Sequence, residues 1–368
     1  MCEGELPVRM RTLLAVAACG LLVAGCGGHP PAAPAVPSPA SAASPIAPGV
    51  APPGSDHACS PAVRLDGFSD ALDKTTFDGT FVGNLSGLAV AADGSILALS
   101  DRSALFTLDA AGHRPTAVVA LTDDHGQPLD SEGLVVDRDG TLLITSEIEP
   151  SVRRYARDAH LLDRLPVPDA LLVAPAGRAS TNLTFEGLAL LPDGRTLVAS
   201  MEAALTGDRG NLVRFQTWTR EAVGAGAFRL GAQFGYPVDP GLGVTELTPT
   251  ADGRLLVLER GFVPGVGNTI RLYLADLAGA SDISAVTDLT GQSGVRLIGK
   301  TPLADLGRCP SLGATAREPQ TNPLLDNIEG MTITGRDPDG GLRLLLVSDD
   351  NQNEAQTTRL YSLTVRLP

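Results

Sequence analysis

Apolar residues recur along the chain in pairs of short runs, and an Asp-Gly dipeptide separates the two runs of each pair. Each unit starts near a small polar or acidic residue, usually followed by glycine, and ends on an acid. Asp-Gly between apolar runs favours a β-hairpin, because such turns need positive φ angles. The five units are residues 85–101, 131–147, 185–202, 244–259 and, in a looser copy, 328–349. A hairpin repeated at intervals of several tens of residues predicts a β-propeller.

The spacing of the copies predicts the number of blades. The slot after the first acid, or after Ser86 in the first copy, is occupied by Gly87, Gly133, Gly187, Leu247 and Gly330. The last gap is the widest, and two strand-like segments within it, residues 268–277 and 295–306, predict a degenerate sixth blade. We therefore expect an all-β fold, a six-bladed β-propeller, with seven blades as the alternative. The segment after Cys59 is expected to pair with the strand from Arg359 and close the ring.

The N-terminal segment predicts export. Residues 1–25 have a basic start and a short apolar stretch, as in a signal peptide. The stretch Leu22–Cys26 resembles a bacterial lipobox, in which Cys26 would carry lipid; an ordinary signal peptide or a short membrane anchor is the alternative. Residues 26–58 are rich in Pro, Ala and Ser and predict a disordered tether. We expect residues 59–368 to form a propeller held by lipid at the extracytoplasmic face of the cell membrane.

Two cysteines remain in the predicted domain, Cys59 and Cys309. An exported protein reaches compartments in which disulfides form and persist. We predict one bridge between them, which would close a very long loop of the unfolded chain. Two buried free thiols are the alternative.

Composition and motifs exclude several functional classes. The net charge is −14 with only 28 Lys and Arg, which argues against a nucleic-acid partner. The chain has no G-x-S-x-G elbow, no HExxH motif and no phosphate-binding glycine loop. Hydrolysis through carboxylates and a metal ion, or binding without catalysis, therefore remains.

The repeats place acids at equivalent positions in successive blades. The first set, at the start of the inner strands, is Glu132, Glu186, Glu246 and Glu329. Carboxylates that converge on one axis repel each other unless a cation neutralises them. Oxygen ligands suit a hard divalent ion, so we predict a Ca²⁺ site. The alternative is that each acid caps a turn or pairs with an arginine.

A second set of acids ends the hairpins, and arginines lie beside it. These acids are Asp101, Glu147, Glu202, Glu259 and Asp349. Arg102, Arg260 and Arg271 could hold an anion in two-pronged hydrogen bonds. Each of them could equally form a pair with a carboxylate of the protein.

Four segments resemble one family. LSDRS at residue 99, VLERGFVPGVGNTIRLY at 257, NIEGMTI at 327 and VSDDNQNEAQTTRLYSL at 347 are similar to the "esterase-like activity of phytase" family of secreted bacterial proteins. The resemblance covers the chain from about Phe81 to its C-terminus. It implies a propeller related to the Ca²⁺-dependent β-propeller phytases and hydrolysis of a phosphoester or ester.

These observations lead to one functional hypothesis and two rivals. We expect a Ca²⁺-dependent phosphoester or ester hydrolase in which Asp349 or Glu259 orients the attacking water. The rivals are a lactonase-type hydrolase that uses a divalent ion and a non-enzymatic propeller that binds cell-envelope partners. The expected partners are a small anionic ester or an envelope component, the membrane through the lipid, and no nucleic acid, with the protein acting as a monomer.

Overall fold

The computed structural model describes residues 57–224 and 226–368, and these residues form a β-propeller. Helical structure in this part of the chain is limited to single 3-10 turns such as Asp169–Leu171 and Leu306–Arg308. None of its helices is long and apolar enough to cross a membrane. The predicted signal segment, Cys26 and nearly all of the predicted tether lie outside the described residues.

Five four-stranded antiparallel sheets form the blades, and a small hairpin lies outside them. The chain begins with β1 (Val63–Ser69), followed by the hairpin β2 (Thr75–Phe77) and β3 (Thr80–Val82). Blade 1 contains β4 (Leu85–Val90), β5 (Ile96–Ser100), β6 (Ala104–Leu108) and β7 (Pro115–Ala120). Blade 2 contains β8 (Ser131–Val136), β9 (Leu142–Ser146), β10 (Ser151–Tyr155) and β11 (Leu161–Arg164).

The remaining blades have longer strands. Blade 3 contains β12 (Phe185–Leu190), β13 (Thr196–Met201), β14 (Leu212–Thr219) and β15 (Arg229–Pro237). Blade 4 contains β16 (Gly243–Pro249), β17 (Leu255–Val263), β18 (Gly267–Asp276) and β19 (Gly299–Asp305). Blade 5 contains β20 (Asn327–Arg336), β21 (Leu342–Asp349), β22 (Leu360–Val365) and the N-terminal strand β1. The inner strands β4, β8, β12, β16 and β20 contact one another in that order around the axis.

The predicted count of six blades, or seven, is wrong, because the described chain forms five. The two segments assigned to a degenerate blade are β18 and β19, the outer strands of blade 4. The wide gap before the last repeat also holds two long connections. In the first of them, Ile283 and Leu289 are buried against Leu212 of blade 3. Connections that pack on a neighbouring blade lengthen one repeat without adding a blade.

The ring closes as the sequence predicts. β1 pairs with β22 in antiparallel register from Val63 opposite Val365 to Ser69 opposite Leu360. The first strand thereby completes the last blade and covers an edge that would otherwise stay open. The disulfide between Cys59 and Cys309 is confirmed, with an S–S distance of 2.01 Å. It joins the start of β1 to the connection between blades 4 and 5.

The Asp-Gly turns all lie at one end of the propeller, where each inner strand meets the second strand. In blade 1 the amide of Gly94 donates to the carbonyl of Ala91, and Gly94 has a φ of 85°. The side chain of Asp93 accepts hydrogen bonds from the amide and hydroxyl of Ser95. The positive φ thus falls on the glycine, and the aspartate stabilises the turn with its carboxylate. The repeated acids lie at the opposite end of the propeller.

The repeated glycine of the inner strand is required by close packing between blades. A Cβ on Gly87 would lie 2.5 Å from the carbonyl oxygen of Glu132 in the next blade. A Cβ on Gly133 would similarly clash with the carbonyl of Glu186 and come within 2.7 Å of the Cβ of Leu188. The inner strands of blades 2 and 3 therefore press their backbone against the glycine of the preceding blade.

Replacing one of these glycines should destabilise the propeller. Gly133→Ala should lower the free energy of unfolding by about 2 kcal/mol, since the added methyl meets backbone that cannot retreat. Gly299→Ala is the matched control, because a Cβ there meets nothing within 4 Å, and it should change stability by less than about 0.5 kcal/mol. Urea unfolding midpoints measure both. Equal midpoints for the two variants would contradict the packing argument.

Candidate functional site

A polar cavity of about 420 Å³ opens on the axis at the end opposite the Asp-Gly turns. It lies where the inner strands begin and the second strands end. Eight carboxylates line it: Asp101, Asp130, Glu132, Glu147, Glu186, Glu202, Glu329 and Asp349. Two arginines, Arg102 and Arg260, lie among them. We call this space the axial cavity.

A β-bulge aims the inner acids into the axial cavity. The pairing of each inner strand with its neighbour shifts at the repeated slot, as between Ile328 and Gly330 in blade 5. The residue left out of the register there is Glu329. Blade 1 shifts in the same way around Ser86. A bulge turns an extra side chain out of the regular alternation, so the repeated irregularity explains why these side chains meet on the axis.

The fourth repeat is offset by one residue from the alignment that the sequence indicates. In blade 4 the register shifts between Val244 and Glu246, so the residue in the bulge is Thr245. Glu246 takes the position that glycine has in other blades, and it lies away from the axial cavity. Its Oε1 accepts hydrogen bonds from the amides of Leu188 and Leu247. A shift of one residue in a strand redirects each side chain.

The same offset exchanges two residues at the end of the hairpin. Arg260 pairs with Gly243 and takes the place that Asp101 and Glu147 have in blades 1 and 2. Glu259 is directed elsewhere and is fully buried. It accepts hydrogen bonds from the Tyr236 hydroxyl at 2.6 Å and from Lys300 Nζ, also at 2.6 Å. Glu259 therefore lies outside the axial cavity, and its prediction as a water-orienting residue is not supported by its position.

Arg271 also lies outside the axial cavity. Its guanidinium pairs with Asp239, which in turn contacts Lys300 Nζ at 2.7 Å and the Tyr273 hydroxyl at 2.6 Å. This cluster joins blades 3 and 4 around their outer strands. The structure therefore gives Arg271 an ion-pair role inside the protein and separates it from the other predicted anion-binding arginines.

Burial and mutual repulsion disfavour ionisation of the cavity acids. Burial raises the pKa of Glu147 to about 8, to which the charge of Glu202 contributes. The pKa of Glu329 rises to about 7 and that of Asp101 to about 6, again mainly through burial. For Glu132 and Glu186 the pKa lies well above the ordinary value, because burial and neighbouring carboxylates act together. The cavity therefore carries more carboxylates than it can ionise alone.

Two groups of these acids have the spacing of metal ligands. Oxygens of Asp130, Glu132 and Glu147 lie within 4.8 Å of one another, and so do oxygens of Glu147, Glu186 and Glu202. Glu147 is common to both groups. Its Oε1 accepts a hydrogen bond from the Thr184 amide at 3.0 Å, which fixes the side chain. The ligand set is therefore all oxygen, as hard divalent ions prefer.

Arg260 balances the other side of the axial cavity. Its guanidinium lies 3.3 Å from Glu202 and 3.2 Å from Glu329, and it donates to Asn327 Oδ1 at 2.7 Å. Burial alone would lower the pKa of Arg260, but the carboxylates around it raise the pKa above the ordinary value. Arg260 therefore joins blades 3, 4 and 5, and these contacts occupy most of its donors.

Arg102 and Asp349 lie on the side formed by blades 1 and 5. The side chain of Arg102 is 61% exposed, with Nε 3.5 Å from Asp101 Oδ1. Asp349 is buried, and its Oδ1 accepts from the amide of Asn351 at 2.8 Å. Burial and the charge of Glu329 raise the pKa of Asp349 well above the ordinary value. The exposed guanidinium of Arg102 at the mouth can meet a ligand, and the buried carboxyl of Asp349 lines the cavity below it.

A family assignment agrees with this geometry. The profile of the phytase-like family, described as esterase-like activity of phytase, matches residues 80–352. The chain belongs to this phytase-like family. The match includes all of the residues that line the axial cavity apart from Gln356, so the family assignment covers the site as well as the scaffold.

Individual relatives of the phytase-like chain are distant. An uncharacterized secreted protein of Arthroderma benhamiae is 28% identical over an alignment of 117 residues that covers 25% of this chain and 23% of that protein. A gluconolactonase from Xanthomonas campestris has 16% identity and a TM-score of 0.41, covering 79% of this chain and 74% of the other. A PQQ-bound aldose sugar dehydrogenase from Streptomyces coelicolor has 15% identity and a TM-score of 0.40, covering 83% and 98%. Likenesses at this level carry no argument about the reaction.

Sequence reasoning missed Asp130 in the axial cavity and misread the register of blade 4. Asp130 precedes the repeat and was not counted with it, although it belongs to one of the two ligand groups. The offset in blade 4 had a detectable signal. Arg260 stands as far beyond Gly253 as Glu147 does beyond Gly140. A count from the turn glycine, as in blades 1 and 2, would have placed Arg260 on the axis, although the same count gives Met201 in place of Glu202 in blade 3.

The cation-free protein should lose stability as the pH rises. The folded-state pKa of Glu147, about 8, exceeds the ordinary value of 4.5, so the folded chain binds more protons than the unfolded chain between these pH values. The free energy of unfolding must then fall as the pH rises through that window. In chelator we expect a melting temperature several degrees lower at pH 8 than at pH 5.5.

Two comparisons make this measurement specific. Saturating Ca²⁺ should reduce the fall, because a cation favours ionised carboxylates. Glu132→Gln combined with Glu186→Gln should reduce it in chelator, whereas Glu221→Gln, at an exposed position, should leave it unchanged. A melting temperature that is constant or rises between pH 5.5 and 8 in chelator would contradict the raised pKa values.

Proposed function

We propose that this propeller is a divalent-cation-dependent hydrolase of an anionic ester, with Ca²⁺ as the expected ion. The supporting observation is the group of carboxylates in the axial cavity, which exceeds the protein cations near it. The side chains of Glu132 and Glu186 accept no hydrogen bond from the described residues and form no ion pair with them. Oxygen ligands without histidine or cysteine fit a hard divalent ion.

Different residues of the axial cavity would bind the ion, bind the substrate and activate the water. Asp130, Glu132, Glu147, Glu186 and Glu202 would hold the ion, which when bound would polarise the ester and lower the pKa of a water molecule. Arg102 would bind an anionic oxygen of the substrate at the mouth. Asp349 would orient the attacking water and accept its proton, since a carboxyl with a raised pKa is a stronger base than an ordinary one. Arg260 would keep Glu202 and Glu329 in position.

We further propose that the protein acts outside the cytoplasm, held by lipid on Cys26. The lipobox-like sequence at residues 22–26 supports this.

Activity assays with and without chelator test the hydrolase. We expect hydrolysis of an aryl phosphate or an aryl ester that disappears in chelator and returns with Ca²⁺. Glu132→Gln with Glu186→Gln should lower kcat/KM at least about 100-fold, because a catalytic ion supplies several kcal/mol. Glu221→Gln should match the wild type. Hydrolysis unaffected by chelator would exclude the metal mechanism, and activity on a lactone alone would favour the lactonase alternative.

Replacement of the predicted lipidation residue tests the location. Cys26→Ser should abolish acylation, so that the protein appears in the medium or accumulates unprocessed. Membrane fractionation and mass spectrometry of the N-terminal peptide measure the outcome. A variant that stays acylated and anchored would rule out the lipobox.

A further inference from the structure

The mouth of the axial cavity is apolar on one side and polar on the other. Large exposed hydrophobic side chains lie at the cavity end of blades 2, 3 and 4: Ile148, Leu183, Phe262, Val263 and Val266. Blades 1 and 5 instead present Arg102, Asn351 and Gln356. A ligand at this mouth therefore meets an anion-binding group on one side and an apolar surface on the other.

Two of these hydrophobic residues belong to the axial cavity itself. Leu183 and Phe262 are the apolar side chains among the described residues that line it, and they are 38% and 44% exposed. Phe262 follows Arg260 by two positions in β17, where pairing with β18 is regular. Alternate residues of a strand share a face, so Phe262 stands above Arg260 on the cavity side. We call Leu183 and Phe262 the apolar lip.

The backbone under Phe262 is held in place. A Cβ on Gly261 would lie 2.5 Å from the carbonyl oxygen of Gly241 and 2.6 Å from a methyl carbon of Leu242. The strand therefore packs directly on the loop before β16. Opposite Phe262 in the ladder, the backbone amide of Asn268 donates a hydrogen bond to Gln320 Oε1 at 2.7 Å. The backbone that carries Phe262 is thus fixed by packing and hydrogen bonding.

The charge of the axial cavity limits which substrates fit. Eight carboxylates and two arginines line it, and Arg260 is already paired with Glu202 and Glu329. Arg102 is therefore the one exposed basic side chain among the described lining residues, so the lining offers a polyanionic substrate few positively charged partners. A substrate with one anionic group can pair with Arg102 and the ion, and its remaining part must then lie on the lip.

We propose that the substrate is an ester with a single anionic group and an apolar substituent, and that Leu183 and Phe262 bind this substituent. The inference rests on the proposed hydrolase, since it assigns the substrate class of the same site. An apolar group on the lip removes both its own surface and that of Phe262 from water, which is favourable in proportion to the area buried. The lip thereby selects for the length of the substituent.

Binding of a non-hydrolysable series tests the proposal. Calorimetry with the Ca²⁺-loaded protein would use n-alkylphosphonates from methyl to octyl. Full burial of a methylene strengthens binding about fourfold, so a one-sided surface should give about twofold per methylene over the first few carbons. We expect octylphosphonate to bind about tenfold more tightly than methylphosphonate.

Variants assign this gain to residues. Phe262→Ala with Leu183→Ala should reduce the octyl-to-methyl ratio to about two. Leu230→Ala is the matched control, because Leu230 is exposed but lies on an outer strand of blade 3, and it should keep the full ratio. A wild-type ratio near one, or a full ratio in the double variant, would overturn the proposal.

The outcomes separate this inference from the hydrolase. Chelator-sensitive hydrolysis without chain-length dependence would retain the hydrolase and reject the lip. Chain-length-dependent binding without hydrolysis would retain the lip and reject the hydrolase. A third outcome is that the wild type binds phosphatidylcholine vesicles, that Val263→Ala with Val266→Ala abolishes this binding, and that the octyl-to-methyl ratio is near one. This result would show that the exposed hydrophobic side chains at the mouth contact a membrane, and it would reject the lip.

Discussion

The repulsion among the buried carboxylates on the axis is the constraint on which the site depends. Five blades direct their bulged inner strands and the ends of their second strands to one point, and acids occupy most of these positions. Buried like charges are costly unless they are protonated or paired with cations. The raised pKa values of Glu132, Glu147 and Glu186 express that cost. Because these carboxylates destabilise the fold, we infer that they are kept for a function and not for stability.

The scaffold tolerates this cost because other interactions hold the blades firmly. The pairing of β1 with β22 and the bridge between Cys59 and Cys309 close the ring. The inner strands pack so closely that a side chain larger than hydrogen does not fit at Gly87 or Gly133. On the axis itself, Arg260 compensates Glu202 and Glu329, which leaves Asp130, Glu132, Glu147 and Glu186 to an external cation. The protein thus divides the axial cavity into a half that it neutralises and a half that it does not.

Much of the fold could be predicted from the sequence, because hairpins with Asp-Gly turns repeat visibly. The family, the closure of the ring and the disulfide were predicted correctly. The sixth blade was not, because strands β18 and β19 look like a new unit when the long connections around them are unknown. In the site, Glu132, Glu186 and Glu329 were found, while Glu246 and Glu259 were misplaced by one residue. A bulge has no strong sequence signal, and the spacing from the turn glycine to the axial residue varies between blades, so the offset in blade 4 had only a weak signal in the equal spacing of Gly253 to Arg260 and Gly140 to Glu147.

The central claim is that the carboxylates of the axial cavity share a divalent cation in place of protons. Titration calorimetry of the protein with Ca²⁺ at pH 7, repeated in buffers of different ionisation enthalpy, counts the protons released on binding. Because Glu147 has a pKa of about 8 and Glu329 of about 7, Ca²⁺ should displace at least about one proton. Glu132→Gln with Glu186→Gln should lose both the binding and the release. Absence of Ca²⁺ binding, or binding without release of protons, would contradict the account.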